Sequence, residues 1–363
     1  MQTLQLVKAL VSVGHEVTTL CYFEYDNIVA NQFQSAGSTV ELLKWERNIS
    51  PISFVLRLKK EIIKHSSNII HVQYMAPGAL AIVSARLAGV KKLLATVHQP
   101  YTESHGIFSK IMLRASACFC SAFIVVSKNA EVSWFGSASF FDEHKTMQQQ
   151  CSHFTVYNAI DIFKIQDLAK RVDLNKEKEV QQIESKSFVF GAVSRLRYEK
   201  GIDLLIEAFS RLVVEGHNVH LHIVGTGPDE EKLKDRVIQL NIVDNVTFFG
   251  EATWETAMQQ MVLMDVVVVP SRFEGFGLSA AEAMAMGKPV VASNVFGLKE
   301  VVSDGKTGLL FENSNSDDLY VKIHSFCTTH TNYTCFSKNA LVYVNQFGLP
   351  EFNKKVTALH EEF

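Results

Sequence analysis

Two glutamates eight residues apart, Glu274 and Glu282, are the side chains of this sequence best suited to chemistry on a sugar. A carboxylate accepts paired hydrogen bonds from neighbouring hydroxyls, so two of them at one strand end suit a ribose and a hexose. Between them lies the segment Gly275-Phe276-Gly277-Leu278, whose two glycines let the backbone pass close to a ligand. The spacing alone fits a loop glutamate and a solvated helix glutamate equally well.

The elements around this pair favour a binding site. Residues 266–269 are a buried valine strand that Pro270-Ser271 ends, and a helix of small residues begins at Ser279. Glu274 is then in the loop and Glu282 on the first turns of the helix. Because the first amides of a helix have no partner within it, they suit a phosphate.

A second loop carries cations. Arg195 and Lys200 lie between a predicted strand at 188–193 and a predicted helix from 203. Arginine offers a planar fork and lysine a compact charge, so the two can hold one diphosphate without a metal. The alternative is a solvated basic loop in which Arg197 is equally well placed.

Weaker signals follow other strands. Gly225 and Gly227 form a tight turn in the sequence Gly-Thr-Gly-Pro, although such a turn is often only a turn. His98 ends the strand at 92–97 and can bond a sugar hydroxyl, or it is a satisfied strand-end residue. His71 lies inside a strand and is interpreted as structural.

Composition narrows the function classes. The chain has 363 residues, 47% of them hydrophobic and 20% charged, which is typical of a globular protein with two domains. A net charge of −3 gives no global attraction to nucleic acid. The six scattered cysteines indicate neither a zinc site nor a disulfide framework. Without a signal peptide or an apolar run of membrane-spanning length, we expect a cytoplasmic protein.

The order of elements predicts two α/β domains, each with a parallel, doubly wound sheet. The expected boundaries are a first domain at 1–165, a linker at 166–186, a second domain at 187–337, and a helical segment at 338–363 that crosses back to the first. Predicted strands lie at 16–22, 69–73, 92–97, 122–126, 154–157, 188–193, 220–224, 246–249, 266–269 and 289–292.

The first domain is predicted to be incomplete, because the sequence opens with a helix and no strand precedes it. In a doubly wound sheet the first strand is central, so its absence leaves a gap of roughly 9.6 Å between strands that should be its neighbours. Either another segment fills the gap, or the natural chain begins further upstream. We hypothesise the latter.

Two other segments do not by themselves indicate a function. Residues 304–308 contain Gly-Lys-Thr but lack the upstream glycine and the following helix of a phosphate loop, so we reject a P-loop NTPase. Residues 54–64 alternate apolar residues with Arg57, Lys59, Lys60 and Lys64. A peripheral membrane contact is one interpretation, and solvated cations on a surface helix are the more common one.

Together these segments resemble the retaining glycosyltransferases of family 4, the group 1 transferases with two facing Rossmann-like domains (the GT-B fold). The resemblance spans nearly the whole chain. It is carried by Gly14-His15-Glu16-Val17, Ile70-His71-Val72, Thr96-Val97-His98, Val126-Ser127-Lys128, Tyr157-Asn158-Ala159-Ile160-Asp161, Ser194-Arg195-Leu196, Glu199-Lys200-Gly201, Gly225-Thr226-Gly227-Pro228, Pro270-Ser271 and the glutamate block at 273–289.

The resemblance implies a role for each candidate. Glu274 would hold hydroxyls of the donor hexose, Glu282 those of the ribose, and Arg195 with Lys200 the diphosphate. His98 would contact the transferred sugar from the first domain. Retention is pictured in this family as front-face attack, in which the departing phosphate oxygen helps to deprotonate the acceptor, so no dedicated protein base is expected. Because the two cations and the helix N-terminus would offset the developing charge, neither a metal nor a cofactor is expected.

The leading hypothesis is therefore transfer of a hexose from a UDP- or GDP-linked sugar to a glycan or lipid-linked acceptor. Departures from the family pattern are the absent first strand with its glycine loop, Ser194 and Ala159 in place of usual glycines, and Phe296 in place of another. A non-catalytic nucleotide-sugar binder and a nucleotide-sugar epimerase remain alternatives. A nicotinamide-dependent oxidoreductase would need a GxGxxG motif, which the sequence lacks.

Overall fold

The structure is a computed structural model that describes residues 2–24, 26–74, 78–173, 187–328 and 331–362. It divides into two compact units. The first comprises Met1–Ala159 and Leu349–Phe363, and the second Ile160–Gly348. Among the described residues, no helix combines the length and the apolar character needed to cross a bilayer.

Strands and helices alternate along most of the chain. The strands are β1 (Val17–Cys21), β2 (Ser38–Leu42), β3 (Ile69–Tyr74), β4 (Lys92–Val97), β5 (Ala122–Val125), β6 (His153–Thr155), β7 (Phe188–Val193), β8 (Val219–Val224), β9 (Val246–Gly250), β10 (Val266–Val269), β11 (Val290–Ser293) and β12 (Gly308–Phe311). The helices are α1 (Gln2–Ser12), α2 (Asn27–Ser35), α3 (Pro51–His65), α4 (Gly78–Leu87), α5 (Gly106–Ala117), α6 (Lys128–Phe135), α7 (Ile162–Arg171), α8 (Ile202–Val214), α9 (Glu230–Gln239), α10 (Trp254–Leu263), α11 (Leu278–Ala285), α12 (Leu298–Val301), α13 (Ser316–Thr328), α14 (Thr331–Tyr343) and α15 (Leu349–Glu361).

The first unit holds two separate parallel sheets. One pairs β1 with β2, and the other has the order β3-β4-β5-β6. Neither β1 nor β3 has a second neighbour among the described residues. The sequence predicted a gap at this place, between the two strands that a central strand would join.

Helices cover both faces of the four-stranded sheet. On one face, Leu94, Ile124 and Phe154 pack against Leu10 of α1 and Leu359 of α15. The other face packs against α3, α4, α5 and α6 through a second buried cluster. Helix α15 is therefore part of the first unit's core although almost two hundred residues separate it from β6.

The second unit has one continuous parallel sheet of six strands in the order β12-β11-β10-β7-β8-β9. On one face, buried side chains of β7, β8, β10 and β11 pack with those of α8, α9 and α13. Helix α11 packs against β10 and β11. Because the chain reverses its direction of travel across the sheet between β7 and β10, loops meet at their carboxyl ends, where parallel sheets bind ligands.

The observed boundaries differ from the predicted ones. The second unit begins at Ile160, and α7 occupies the start of the predicted linker, where Gln166 donates a hydrogen bond to the carbonyl of Ala285 at 3.3 Å. The rest of that linker, residues 174–186, lies outside the described residues. The chain returns to the first unit at Leu349 rather than at 338, since α14 belongs to the second unit.

Candidate functional site

Backbone hydrogen bonds in the second unit join the loops that follow β7, β8 and β10. The amide of Leu196 donates to the carbonyl of Thr226 at 3.0 Å. The amide of Arg272 donates to the carbonyl of Glu199 at 2.8 Å. The cationic loop, the glycine turn and the glutamate loop, predicted separately, are thus fixed to one another.

Three positions in these loops leave no room for a Cβ: Gly201, Gly225 and Gly227, the last because its Cβ would stand 2.2 Å from the carbonyl oxygen of Leu196. A Cβ on Gly225, where φ is +128°, would stand 1.9 Å from the carbonyl oxygen of Ser194. One on Gly201, where φ is +65°, would stand 2.0 Å from the carbonyl oxygen of Pro270. Such contacts are impossible without moving backbone, so these glycines set the spacing between neighbouring loops.

The segment before α11 has the tight geometry that the sequence predicted, with one difference. Gly277, at φ +103°, is the N-cap, and α11 begins at Leu278 rather than at Ser279. The Phe276 ring is buried and meets the Phe347 ring edge-on, with centroids 5.2 Å apart. Phe276 therefore anchors the loop from beneath, while Gly275 and Gly277 leave its backbone free of bulky side chains.

Lys200 and Glu274 form an ion pair. Lys200 Nζ donates to Glu274 Oε2 at 2.6 Å, and the two side chains are 25% and 20% exposed. Ser271 Oγ donates to the same carboxylate oxygen at 3.4 Å. The residues assigned by resemblance to a diphosphate and to a hexose thus meet at one point, whereas Arg195 in the same loop is exposed.

Glu282 has a different environment. Burial raises the pKa of its carboxyl to about 7, and a hydrogen bond from Trp254 Nε1 at 2.8 Å offsets part of that effect. Its interpretation as a solvated helix glutamate is therefore wrong. Near neutral pH this carboxyl can both accept and donate hydrogen bonds, which suits a pair of hydroxyls.

Sequence reasoning missed Trp254, the first residue of α10. Besides the hydrogen bond from Trp254 to Glu282, the Lys164 ammonium lies over the Trp254 ring, 4.5 Å from its centroid. A tryptophan indole N–H commonly finds a hydrogen-bond partner, but Trp254 and Glu282 are 28 positions apart, so the sequence does not reveal this pair.

Arg272 was missed as well. It makes two hydrogen bonds to Asp203, at 2.9 and 2.7 Å, and its guanidinium lies 3.9 Å from the centroid of the Tyr198 ring. Partial burial acts to raise the pKa of Asp203, but the hydrogen bonds and charge of Arg272 outweigh it and lower that pKa. Arg272 therefore clamps the glutamate loop to the start of α8.

His98 lies in the first unit and is described separately from the residues above. Its Nε2 donates to Gln73 Oε1 at 2.7 Å, and burial lowers its pKa to about 4. It borders a cavity of about 30 Å³ whose polar lining includes Thr96 and Asn158. A neutral imidazole beside this small, mostly apolar cavity can exchange a hydrogen bond with a hydroxyl that enters it.

His71 is interior, as a structural histidine should be. Its Nε2 lies 2.7 Å from Thr96 Oγ1, and its Nδ1 lies 3.4 Å from His360 Nε2 on α15. Burial lowers the pKa of His71 well below its usual value, and the neighbouring His360 lowers it further. This histidine pair connects β3 to α15 within the first unit.

Comparisons with known proteins bear on the family and the fold. Residues 1–132 match Glycosyltransferase Family 4, and residues 173–341 match Glycosyl transferases group 1. An uncharacterized glycosyltransferase of Methanocaldococcus jannaschii is 31% identical over 231 residues, which are 61% of this chain and 58% of that protein. The lipopolysaccharide core biosynthesis mannosyltransferase LpsB of Rhizobium meliloti is 32% identical over 192 residues, 49% of this chain and 52% of that protein. The chain thus spans about half the length of these curated relatives.

Solved structures show the fold. A crystal structure of HepE from Anabaena in complex with UDP and glucose has a TM-score of 0.80 at 20% identity and covers 100% of this chain and 95% of that one. It shares two Rossmann-like domains with this chain. From its two family matches and its fold, this chain belongs to the group 1 glycosyltransferases of family 4, which have the GT-B fold.

Proposed function

We propose that this chain is a retaining, metal-independent glycosyltransferase that moves a hexose from a UDP- or GDP-linked sugar to a glycan or lipid-linked acceptor. The observation that carries the proposal is the Lys200–Glu274 pair, held at the junction of three strand-end loops. The cation suits the diphosphate of a nucleotide sugar, and the carboxylate beside it suits the hydroxyls of the attached hexose. The cytoplasm, where nucleotide sugars are available, is the expected compartment.

Donor binding would exchange partners in this pair. The diphosphate competes for Lys200, with Arg195 supplying a second cation, and Glu274 is then free to accept hydroxyls of the hexose. Two fixed cations and the amides at the start of α11 can offset the charge of the leaving group, so the reaction needs no metal in this mechanism. Glu282, whose carboxyl is poised near neutrality, takes the ribose hydroxyls.

The chemistry is a substitution with retention. The bond between the anomeric carbon and the diphosphate oxygen breaks, and the acceptor oxygen bonds to that carbon on the same face. The acceptor proton passes to the departing diphosphate oxygen, so no protein base is required. Neutral His98, a side chain of the first unit, can form a hydrogen bond with a hydroxyl group.

The experiment is a nucleotide-release assay over a panel of UDP- and GDP-hexoses, after donors are ranked by thermal shift. Removing the cation in Lys200→Ala should lower turnover by about 100-fold or more, as expected for a group that stabilises transition-state charge. Glu274→Gln should lose hexose selectivity and turnover while remaining folded.

The matched control is Lys234→Ala, because Lys234 is also ion-paired, at 2.8 Å to Glu230, but on the surface of α9. It should keep the parental rate. Parental nucleotide release in Lys200→Ala and Glu274→Gln would refute the assignment of the site.

A second candidate, a nucleotide-sugar binder without transferase activity, is favoured by one observation. The first unit's sheet is divided between β2-β1 and β3-β6, so the unit expected to hold the acceptor has an interrupted framework. Calorimetry that shows donor binding, with no nucleotide release over a broad acceptor panel, would support this candidate instead.

A peripheral membrane contact through α3 is a further part of the proposal. This helix exposes Ile52 and Leu56, at 74% and 54%, beside the basic Arg57 and Lys60, while Phe54 and Leu58 face the core. Apolar and basic side chains exposed together suit an anionic lipid surface. Equal partitioning onto vesicles with and without anionic lipid would exclude this contact.

A further inference from the structure

A second cluster of chemically active side chains lies in the second unit, where α8 turns into β8. Glu215 is the C-cap of α8, and Gly216 follows with φ +80°. The amide of His217 donates back to the carbonyl of Leu212 at 3.1 Å, and that of Gly216 to Val213 at 3.0 Å. These two bonds are those of a Schellman motif, so the backbone fixes Glu215 and His217 on either side of one glycine.

Helix α13 brings the remaining residues of the cluster. Tyr320 and His324 are four residues apart and therefore share one face of the helix. Leu319 and Ile323, next to them in sequence, are fully buried in the core that α13 shares with α8. The position of His324 relative to the turn is thus set by core packing.

Both histidines point at the same carboxylate oxygen. His217 Nε2 lies 3.5 Å from Glu215 Oε2, and His324 Nε2 lies 3.7 Å from that oxygen. The three ligand atoms lie within 4.8 Å of one another. A tetrahedral zinc ion with bonds of 2.0–2.1 Å holds its ligand atoms about 3.4 Å apart, close to the two shorter distances.

Simple ion pairing explains this geometry poorly. Distances of 3.5 and 3.7 Å exceed those of a good N–H to O hydrogen bond, although both rings face the oxygen. The other carboxylate oxygen, Oε1, accepts the Tyr320 hydroxyl at 2.5 Å. Tyr320 therefore orients Glu215 through Oε1. The other oxygen, Oε2, lies near both imidazoles, as the oxygen of a monodentate metal ligand does.

We propose that Glu215, His217 and His324 form a binding site for Zn²⁺ or a similar first-row divalent cation, with water in the fourth position. Tyr320 is a positioning residue for the carboxylate. Cys327 is not part of the set of ligand atoms that lie within 4.8 Å of one another, and its Sγ contacts the carbonyl of Ile323 at 3.9 Å. The neighbouring cation, Arg211, is paired with Asp317 at 2.6 Å.

The site is remote from the proposed donor loops. It precedes β8, whereas the Gly225 turn follows β8, so the two lie at opposite ends of the same strand. A metal bound here joins the α8–β8 turn to α13. We therefore expect it to stabilise the second unit and to leave the rate of sugar transfer unchanged.

The test begins with chelator-treated, metal-free full-length protein. Zn²⁺ is titrated against a chromophoric chelator, and Co²⁺ is added separately, since tetrahedral Co²⁺ with nitrogen and oxygen ligands absorbs visible light. We expect one ion per chain, the visible Co²⁺ bands, and a higher melting temperature with Zn²⁺. His217→Gln and His324→Gln should each abolish these three effects, and Tyr320→Phe should weaken binding by about 10-fold.

The control is His144→Gln, which removes an exposed histidine of the first unit, 83% solvent-accessible, and should bind as the parent does. Circular dichroism of each metal-free variant must match that of the metal-free parent, which separates lost binding from lost folding. Equal binding by the parent and the His217→Gln/His324→Gln double variant, or no Co²⁺ spectrum with the parent, would overturn the proposal.

Discussion

The sheets of the two units differ in continuity. In the second unit, six strands form one ladder, and the loops at the ends of β7, β8 and β10 are hydrogen-bonded to one another. In the first unit, β1-β2 stands apart from β3-β4-β5-β6. A loop is held more firmly when the strand before it is hydrogen-bonded to neighbouring strands on both sides. We infer that donor recognition depends on the continuous sheet and tolerates changes in the divided one.

The largest expected effect is on the loop spacing of the second unit. Gly225→Ala places a Cβ against the Ser194 carbonyl and forces an unfavourable φ, so we expect a loss of about 3 kcal/mol or more in the free energy of unfolding. The first-unit control is Gly89→Ala, where φ is +85° and no atom lies within 4 Å, which should cost only about 1 kcal/mol. Urea titrations measure both, and similar losses would contradict the comparison.

The second prediction is that acid acts in opposite directions on the buried histidines of the first unit and on Glu282 of the second. In the first unit, burial lowers the pKa of His71, His98 and His360 below 6.5. The unfolded chain then binds more protons, so stability is complete above pH 6.5 and is lost as the pH falls. For His98, with a folded pKa of about 4, the loss reaches about 3 kcal/mol at most.

In the second unit, burial raises the pKa of Glu282 from 4.5 to about 7. The folded state then binds more protons, so this contribution is complete below pH 4.5 and is lost as the pH rises through 7. Hydrogen exchange followed by mass spectrometry resolves peptides of each unit across pH 4 to 8. Relative to the parent, peptides around His98 should lose less protection as the pH falls in His98→Gln, and peptides around Glu282 should lose less as it rises in Glu282→Gln. Unchanged pH profiles in both variants would be inconsistent with these environments.

Nucleotide binding should also distinguish the two units. If the donor loops of the second unit hold the nucleotide, free UDP or GDP at 100 times its Kd should stabilise that unit by about 2.7 kcal/mol. Exchange of β7 and β8 peptides should slow, while that of β1 and β2 peptides should not. Equal protection of both sets would show that the nucleotide acts on the first unit's sheet as well.

The smallest expected effect concerns Arg272. Arg272→Lys keeps the charge but removes the two-point contact with Asp203 and the stacking on Tyr198, so we expect a loss of about 1 kcal/mol. Because this clamp holds the glutamate loop, the KM for donor should rise more than kcat falls. The surface variant Arg236→Lys, at the Glu207 pair, should change neither constant.

Strand positions were predictable where apolar runs were continuous, as in β7 and β10. Two strands were missed for physical reasons. In β2, Thr39 and Glu41 alternate with Val40 and Leu42, but this strand pattern covers only five residues, and β12 has only four residues, directly after a glycine-rich turn. The divided sheet was predictable because a doubly wound order requires a central strand that the sequence does not supply.

The candidate site was predictable as a set of loops, but its internal contacts were not. Glu274, Lys200 and Gly225 were identified from their strand-end positions, since parallel strands bring such positions to one edge. The pairing of Lys200 with Glu274 and of Trp254 with Glu282 depends on tertiary packing between residues 74 and 28 positions apart. Local sequence pattern carries no information at those separations.

Because α15 belongs to the first unit but follows the second unit in the chain, the first unit can complete its core only after the second unit has been synthesised. Leu359 and His360 complete the core beneath the four-stranded sheet, but the ribosome adds them after every residue of the second unit. The second unit can therefore finish folding first, while one face of the first unit's sheet is covered by α1 but not yet by α15. During that interval Leu94, Ile124 and Phe154 are only partly covered and can meet chaperones and other nascent chains.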